Sequence, residues 1–373
     1  MGEAENRGAA AGTPIDQVIS MTETLNVGII GYGYASATFH APLIASVQGL
    51  KLTAISSQHP DKVRNDWPDV AVESSPEALF ARPDIQLVVI PTPNETHFPL
   101  ATQALAAGKH VVVDKPFTVT LTEARTLKQQ AKRSGLLLSA FHNRRWDADF
   151  LTLRQVLKEG TLGRIVHFES HFDRYRPKVQ VRWREKPGAG TGLWYDLGPH
   201  LLDQAVQLFG MPESIALDLA LQREGAQVDD WFHAVLRYGS MRAILHAGVL
   251  VPKPAARFLV HGERGTFSKR GLDTQEDRLK TGARPPQSDW GIDPVAAELT
   301  QWDGDVRTDS TLSCTAGNYS EYYARIRDAL LGVGENPVTV DEAIAVMALL
   351  EQGSQSLAEV KPAAKVTFSS HRP

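Results

Sequence analysis

The stretch Leu25–Ser36, LNVGIIGYGYAS, determines the expected fold. It begins with a short apolar run rich in β-branched residues, Leu25–Ile30, which is typical of a buried parallel strand. Gly31 and Gly33 follow directly, and from Ala37 the apolar positions take helical spacing. A strand that ends in a glycine turn and leads into a helix is the first half of a βαβ unit.

The same alternation continues along the chain. Four further strands are predicted, at Lys51–Ser56, Ile85–Ile90, His110–Val113 and Leu136–Ala140. The helices predicted between them cover Pro76–Ala81, His97–Ala107 and Leu121–Ser134. Strict alternation of strands and helices implies right-handed crossovers. Residues 25–145 are therefore expected to form an α/β Rossmann domain with a doubly wound parallel sheet.

After about Trp146 the pattern changes to strands joined by short turns. The predicted strands are Ile165–Phe172, Trp231–Tyr238, Arg242–Val249, Arg257–Val260 and Gly265–Lys269, and the predicted helices are Phe150–Glu159, Leu201–Phe209, Tyr322–Leu331 and Asp341–Leu357. The polar stretch Arg270–Arg307 is expected to leave the sheet as a long excursion. We expect residues 146–373 to form an α+β domain with an open, mainly antiparallel sheet, and residues 1–24 to be a disordered N-terminal extension.

Composition excludes several classes of function. The chain has a formal net charge of −4 and no sustained basic run, which argues against nucleic acid as a partner. Its single cysteine, Cys314, rules out a site built from several cysteines and is expected to be passive. No apolar run approaches the roughly 20 residues of a membrane span. The first two dozen residues do not resemble a signal peptide, so the expected location is cytoplasmic.

The glycine turn predicts a site for a dinucleotide. Gly31 allows the tight turn, Gly33 lets the backbone approach a pyrophosphate, and the following helix directs N–H groups and a positive dipole end toward it. Ser36 stands where a third glycine is usual and is small enough for close packing. The residues expected to contact the cofactor here are Gly31, Tyr32, Gly33, Tyr34, Ala35 and Ser36. The alternative is a glycine turn in another α/β fold.

The end of the second predicted strand favours NADP over NAD. An acid at this point would bind the ribose hydroxyls and repel a 2′-phosphate. Here the chain reads Ser56-Ser57-Gln58-His59, with no acid before Asp61. Ser57 and Gln58 are therefore expected to hold NADP, and the alternative is a plain loop that holds NAD by other contacts.

Three further motifs resemble those of one family. They are PTPNETH at Pro91–His97, DKP at Asp114–Pro116, and GTGLWYDLGPH at Gly190–His200. Together they resemble the glucose–fructose oxidoreductase, inositol dehydrogenase and rhizopine catabolism (Gfo/Idh/MocA) family, from about Leu25 to the C-terminus. The stretches FHNRRWDADFLTL and RYRPKVQVRWREKPG resemble more closely a branch containing NADP-dependent scyllo-inositol dehydrogenases. The family has Glu where this chain has Asp114, which should leave Lys115 in place.

The resemblance implies an oxidoreductase that interconverts a secondary alcohol and a ketone of a cyclic polyol or sugar. Lys115 follows a parallel strand, at the edge of the sheet where ligands bind, and can stabilise a developing alkoxide. Asp196 and His200 are four residues apart, so they share a face if the segment is helical. A carboxylate beside an imidazole would fix its tautomer and raise its basicity for acid–base catalysis. The alternatives are a solvated lysine and a core histidine capped by an aspartate.

Other residues are assigned by their place in these motifs. The remaining cofactor contacts are expected from Thr92, Pro93, Asn94, His97, Asp114, Lys115 and Arg145, and the substrate contacts from Asn143, Arg144, Tyr175 and Trp183. A surface ion pair is the alternative for both arginines, and Trp146 and Trp194 are expected in the core or at its rim. No metal is expected at Asp196 and His200, since only two ligands are visible. A homodimer or homotetramer is implied by the resemblance.

Two other functions remain open on the same fold. One is a regulator that senses a dinucleotide without catalysis, which would not need Lys115, Asp196 and His200 together. The other is a glycosidase that uses NAD transiently for redox-assisted elimination. The presence of all three residues argues against the regulator, and the FHNRRWD stretch at residues 141–147 favours the dehydrogenase over the glycosidase.

Overall fold

The computed structural model describes residues 24–357. The predicted N-terminal extension lies outside them except for Thr24. Fourteen strands are seen in this range: β1 (Leu25–Ile30), β2 (Leu50–Ser56), β3 (Ala71–Glu73), β4 (Leu87–Ile90), β5 (His110–Val113), β6 (Leu138–Ala140), β7 (Ile165–His171), β8 (Ser214–Ala220), β9 (Trp231–Tyr238), β10 (Met241–Gly248), β11 (Phe258–Gly262), β12 (Gly265–Lys269), β13 (Ala297–Asp303) and β14 (Val306–Leu312).

The α-helices of the described range connect and cover these strands. They are α1 (Ala41–Ala45), α2 (Pro60–Asp66), α3 (Pro76–Phe80), α4 (His97–Ala106), α5 (Leu121–Ser134), α6 (Ala148–Lys158), α7 (Leu193–Phe209), α8 (Gln275–Lys280), α9 (Ser320–Leu330) and α10 (Val340–Ser356). Helices α5 and α10 begin with capping boxes, at Thr120 with Glu123 and at Thr339 with Glu342. No helix in residues 24–357 is long and apolar enough to cross a membrane.

The first sheet confirms the predicted Rossmann fold. It has six strands in the order β3-β2-β1-β4-β5-β6, and every neighbouring pair is parallel. The order reverses between β1 and β4, where open α/β sheets bind their ligands beyond the carboxyl ends of the strands. The glycine turn follows β1, and the chain toward Lys115 follows β5, so both lie at this edge.

The segment after the glycine turn is helical earlier than expected. Helical backbone begins at Tyr34, and residues Ser36–His40 form one π-helical stretch in which the Ala41 N–H donates to the Ser36 carbonyl. Pro42 explains this irregularity, because its nitrogen has no hydrogen to donate to the preceding turn. Such stretches inside helices often occur at functional sites.

The second sheet confirms the open, mainly antiparallel architecture. Its eight strands lie in the order β14-β13-β12-β11-β7-β10-β9-β8, and only the β7–β10 pair is parallel. Side chains that alternate along β9 and β10 are buried on one face and half-buried on the other. Helix α7 packs against β9 and β10 and so connects the second sheet to the site.

Three expectations about individual elements are wrong. Arg270–Arg307 is not a simple excursion, because it contains α8, β13 and the start of β14. Every side chain of β14 is exposed, so the strand has no buried face and no apolar alternation to reveal it. The three-residue β3 and the strand β8 are additional, and the helix predicted from Leu201 already begins at Leu193.

Candidate active site

The glycine turn is closed by its own hydrogen bonds. Gly31 has a φ of 81°, which an L side chain rarely adopts, and its N–H donates to the Ser56 carbonyl at 2.7 Å. The Ser36 hydroxyl donates to the Gly31 carbonyl at 2.8 Å. Ser36 therefore stabilises the turn in addition to the small packing role expected of it.

The middle of the turn faces open space. A Cβ added to Gly33 would meet no protein atom within 4 Å, so protein packing does not require glycine there. The neighbouring Tyr34 is 56% exposed and Ala35 is half-buried. Tyr32 is instead buried, with its hydroxyl donating to Asp66 at 2.8 Å and accepting from Trp67 Nε1 at 2.9 Å. The open backbone fits the close approach of a pyrophosphate.

The loop after β2 presents uncharged side chains. Ser57 is half-buried and accepts a hydrogen bond from the His59 N–H at 3.0 Å. Gln58 is exposed and donates to the Ser74 carbonyl at 3.2 Å. The ammonium of Lys62, which the sequence analysis missed, lies 5.4 Å from the Tyr32 ring centroid and adds positive charge beside this loop.

The PTPNETH loop connects the two sheets. Thr92 is half-buried and lies beside Gly31, whose added Cβ would be 3.5 Å from the Thr92 methyl group, while Pro93 is exposed. Asn94 donates to the Gly190 carbonyl of the second domain at 2.6 Å. This hydrogen bond fixes the loop that precedes α7 against the nucleotide-binding sheet.

His97 links two loops of the candidate site by hydrogen bonds. It is fully buried, with Nδ1 2.8 Å from the Pro116 carbonyl and Nε2 2.9 Å from the Thr92 carbonyl. The expectation of a direct cofactor contact is therefore wrong for this side chain. His97 instead positions the PTPNETH and DKP loops relative to each other.

Lys115 and Asp196 form the central ion pair. The Lys115 ammonium donates to Asp196 Oδ1 at 2.9 Å and to the Asp196 backbone carbonyl at 2.5 Å. Burial lowers the pKa of Lys115, although the Asp196 carboxylate opposes this shift. Burial alone would raise the pKa of Asp196, but the charges of Lys115 and Arg184 hold it well below its usual range. Asp196 is therefore ionised at neutral pH, and its carboxylate favours the charged form of Lys115.

His200 lies one helical turn after Asp196, but the two side chains do not pair. Asp196 bonds Lys115 and Arg184, the latter at 3.4 Å. His200 is 6% exposed, and its Nδ1 is buried without a hydrogen bond to any described residue. Burial and the nearby charge of Lys115 lower the pKa of His200 well below its usual value. The expectation that Asp196 orients His200 and raises its basicity is wrong, because the Asp196 carboxylate is hydrogen-bonded to Lys115 instead.

Asp114 is held as an anion next to Lys115. Its Oδ1 accepts the Lys115 backbone N–H at 2.7 Å, and its Oδ2 lies 3.6 Å from His40 Nε2. Burial raises the pKa of Asp114, but His40 and Lys115 outweigh burial and hold it at about 2. The carboxylate therefore holds the backbone of the DKP turn at Lys115.

The two arginines that follow β6 lie in buried ion pairs. Arg145 is 5% exposed, and it donates to both oxygens of Asp203 at 2.9 and 2.6 Å and to Glu342 at 2.9 Å. The ion-pair alternative therefore applies to Arg145, although the pair is buried rather than at the surface. Arg144 donates to Glu276 of α8, and its guanidinium lies 4.7 Å from the Phe172 ring centroid.

The expected substrate residues differ in exposure. Asn143 is 5% exposed and Tyr175 is 61% exposed. Trp183 is half-buried, and the Arg184 guanidinium lies over its ring at 4.4 Å while bonding Asp196. Trp146 and Trp194 are buried in the core.

Besides Lys62, four positions around the candidate site were not predicted from the sequence. Arg184 follows Trp183 directly in the chain, so its positive charge could have marked it as a residue of the site. His142 is buried with neither ring nitrogen hydrogen-bonded to a described residue, and its charge affects the pKa of His200. Glu276 connects Arg144 with Tyr34 across the domains. Asp229 accepts the Trp194 N–H at 2.6 Å and holds the start of α7.

Comparisons with known proteins agree with this arrangement. The model for the NAD-binding Rossmann fold of the Gfo/Idh/MocA oxidoreductase family matches residues 25–142, and the model for its C-terminal alpha/beta domain matches residues 154–366. A solved structure of an oxidoreductase from Yersinia pestis has a TM-score of 0.88 and 55% identity, covering 94% of this chain and 99% of that one.

Two curated relatives cover nearly the whole chain. The oxidoreductase YdgJ of Escherichia coli (strain K12) is 59% identical over 336 residues, which are 90% of this chain and 97% of the relative. The scyllo-inositol 2-dehydrogenase (NADP(+)) IolW of Bacillus subtilis (strain 168) is 40% identical over 339 residues, 90% of this chain and 95% of the relative. The resemblance is confirmed: the chain belongs to the Gfo/Idh/MocA family and is an NAD(P)-dependent oxidoreductase.

Proposed function

We propose that the protein interconverts a secondary alcohol and the corresponding ketone of a cyclic polyol or sugar of the inositol type, with NADP(H) as the hydride carrier. The observation that carries this proposal is the half-buried Lys115–Asp196 pair with His200 one helical turn after Asp196. These groups can hold a substrate oxygen and move its proton. The relative named scyllo-inositol 2-dehydrogenase supports the choice of a cyclic polyol.

Lys115 is proposed to bind the reacting oxygen. Its side chain is 11% exposed, and its ammonium donates to two oxygens of Asp196, which leaves one N–H for a ligand. A fixed positive donor stabilises the alkoxide that develops as the hydroxyl loses its proton. Asp196 is then a positioning residue for Lys115, with Arg184 as its second partner.

His200 is proposed to take the hydroxyl proton. Its lowered pKa means that the imidazole is neutral at pH 7 and can accept a proton. Its burial beside Lys115 keeps water from competing for that proton. In the reductive direction, the imidazolium would return the proton to the substrate oxygen.

When bound, the nicotinamide supplies the carbon that accepts or donates the hydride. The residues proposed to hold the dinucleotide surround the glycine turn and the loops after β2, β4 and β5. They are Gly31, Tyr32, Gly33, Tyr34, Ala35, Ser36, Ser57, Gln58, Thr92, Pro93, Asn94 and Asp114. Arg144, Asn143, Tyr175 and Trp183 remain proposed for the substrate side.

NADPH is expected to be used at least as well as NADH. The loop after β2 carries no acid near Ser57, and Lys62 stands beside Tyr32. Ser57→Asp should shift the ratio of kcat/KM values toward NADH by at least about tenfold, equivalent to about 1.4 kcal/mol, because the new carboxylate repels a 2′-phosphate. Steady-state kinetics with both dinucleotides measure the shift.

Thr122→Asp, on the exposed face of α5, is the matched control and should leave the ratio unchanged. A strong preference of the wild type for NADH, or an unchanged ratio in Ser57→Asp, would contradict the NADP assignment.

We also propose that the chain forms a homodimer or homotetramer through the open face of the second sheet, as the resemblance implies. The half-buried alternate side chains of β9 and β10 are compatible with a covering partner. Light scattering at micromolar concentration tests this proposal, and a monomer mass would refute it.

A further inference from the structure

A second cluster of ionisable groups lies on the second sheet and is not used by the proposed reaction. His171 ends β7, Asp173 follows it two residues later, and His246 lies on β10 directly opposite His171 in the parallel register. One ligand atom from each residue lies within 4.8 Å of the others. We call these residues the His171–Asp173–His246 cluster.

The distances within the cluster are those of a shared ligand rather than of direct hydrogen bonds. His171 Nδ1 lies 3.8 Å from Asp173 Oδ2, and His246 Nε2 lies 3.5 Å from Asp173 Oδ1. Both separations are too long for a good hydrogen bond. Two ligands of one tetrahedral Zn²⁺ are separated by about 3.3 Å, given bond lengths of about 2.0–2.1 Å.

Asp173 is the second, independent indication of a ligand. Its side chain is only 3% exposed, yet Oδ1 makes no hydrogen bond to any residue in 24–357. His171 Nδ1 is also buried without a hydrogen bond in this range. Buried charges are normally paired, hydrogen-bonded or bound to metal, because an uncompensated one is costly.

The other ring nitrogen of His171, Nε2, lies beside a carboxylate, as is usual for histidines that bind a metal. His171 Nε2 lies 2.9 Å from Glu169 Oε2, and the other Glu169 oxygen lies 2.7 Å from His167 Nε2. A carboxylate that accepts the Nε2 proton leaves the Nδ1 lone pair directed at Asp173. Carboxylate–histidine–metal arrangements of this kind fix the ring and increase its basicity as a ligand.

We propose that the His171–Asp173–His246 cluster binds one divalent transition-metal ion, with Zn²⁺ as the best match. His171 Nδ1, a carboxylate oxygen of Asp173 and His246 Nε2 would be its protein ligands. Two imidazoles and one carboxylate suit Zn²⁺, and three protein ligands leave a fourth position for water or another donor.

The proposed role of this ion is to hold the end of β7 against β10. Phe172 lies between His171 and Asp173, with the guanidinium of Arg144 4.7 Å and that of Arg174 4.9 Å from its ring centroid. A metal at the cluster would therefore fix the backbone on either side of Phe172, the residue whose ring packs against Arg144 of the candidate active site.

The test measures metal binding by the full-length chain, purified without an affinity tag and stripped with a chelator. Zn²⁺ titrated against a chromophoric competitor should bind at one equivalent per chain, with a Kd of about 1 μM or tighter. Co²⁺ should give the intense visible absorption of a tetrahedral N/O site. If the wild type lacks both the binding and the spectrum, the proposal fails, and the cluster is a metal-free aspartate–histidine pair.

Variants locate the site. Asp173→Asn and His246→Gln should each weaken Zn²⁺ binding at least about 100-fold, and Glu169→Gln, which changes only the supporting carboxylate, about 10–100-fold. His261→Gln is the matched control, because its ring stacks on His167 and bonds Thr266 rather than the cluster. Wild-type affinity in a folded Asp173→Asn, judged by circular dichroism, would overturn the proposal. If that variant fails to fold, His246→Gln and the wild-type Co²⁺ spectrum still decide the question.

Discussion

Replacing His200 by alanine is expected to lower kcat for polyol oxidation by about 10²–10⁴ and to leave dinucleotide affinity nearly unchanged. The variant removes the proposed proton acceptor, whereas the glycine turn that would hold the cofactor keeps its own hydrogen bonds. Stopped-flow or steady-state turnover together with fluorescence titration of the dinucleotide separates the two effects.

The pH dependence provides a second readout of the same assignment. Because burial and the Lys115 charge lower the pKa of His200, the acid limb of kcat/KM for oxidation should have its midpoint below the ordinary histidine value of about 6.5. That limb should disappear in His200→Ala. His261→Ala, a histidine outside the site, is the control and should keep both the rate and the limb.

Lys115→Ala should be at least as damaging, because it removes the donor to the reacting oxygen. Asp196→Asn should reduce kcat less, since the amide oxygen can still accept from Lys115. Loss of the carboxylate charge should also lower the pKa of Lys115 further, so the alkaline limb of the profile should move to lower pH. A purely structural Asp196 would not move that limb. Near-wild-type turnover in Lys115→Ala or His200→Ala would contradict the proposed roles and favour the dinucleotide sensor.

Replacing Arg145 by methionine is expected to reduce the free energy of unfolding by about 3–5 kcal/mol, because it leaves Asp203 buried without its partner. The double variant Arg145→Met/Asp203→Leu should recover most of this loss, since a buried pair replaced by apolar groups of similar size is often neutral. Chemical denaturation followed by tryptophan fluorescence measures both changes.

Arg164→Ala is the matched control for that experiment. Arg164 forms a 2.6 Å ion pair with Glu263, but the two side chains are 59% and 50% exposed. Its loss should cost about 0–1 kcal/mol. If Arg145→Met keeps wild-type stability and instead loses dinucleotide affinity, the expected cofactor contact is correct and the structural assignment is wrong.

The parts of the site that depend on local sequence could be predicted. Gly31, Gly33 and Lys115 each follow a predicted parallel strand. The alternation of strands and helices alone therefore places them at the same edge of the sheet. The apolar pattern predicts a helix only from Leu201, whereas the helix that carries Asp196 and His200 begins at Leu193, so their shared face could be proposed only from their four-residue spacing.

The partners of those residues could not be predicted. The spacing within α7 suggested that Asp196 faces His200, whereas its carboxylate bonds Lys115, which is 81 positions away in the chain. Glu276 lies in a polar stretch without periodicity, so nothing in the sequence marked its contact with Arg144. His97 was read as a cofactor contact because its motif was recognised, but burial makes it a support for two loops.

Net formation of reduced dinucleotide is the decisive measurement for the proposed dehydrogenase reaction. The wild-type protein is mixed with NADP⁺ or NAD⁺ and a panel of inositols and sugars, and the reduced-nicotinamide absorption band is followed. We expect sustained turnover with at least one cyclic polyol, faster with NADP⁺, and at least about 10²-fold slower in Lys115→Ala. Cleavage of an aryl glycoside without net reduction, or no turnover with any polyol or sugar despite tight dinucleotide binding, would contradict the proposed reaction.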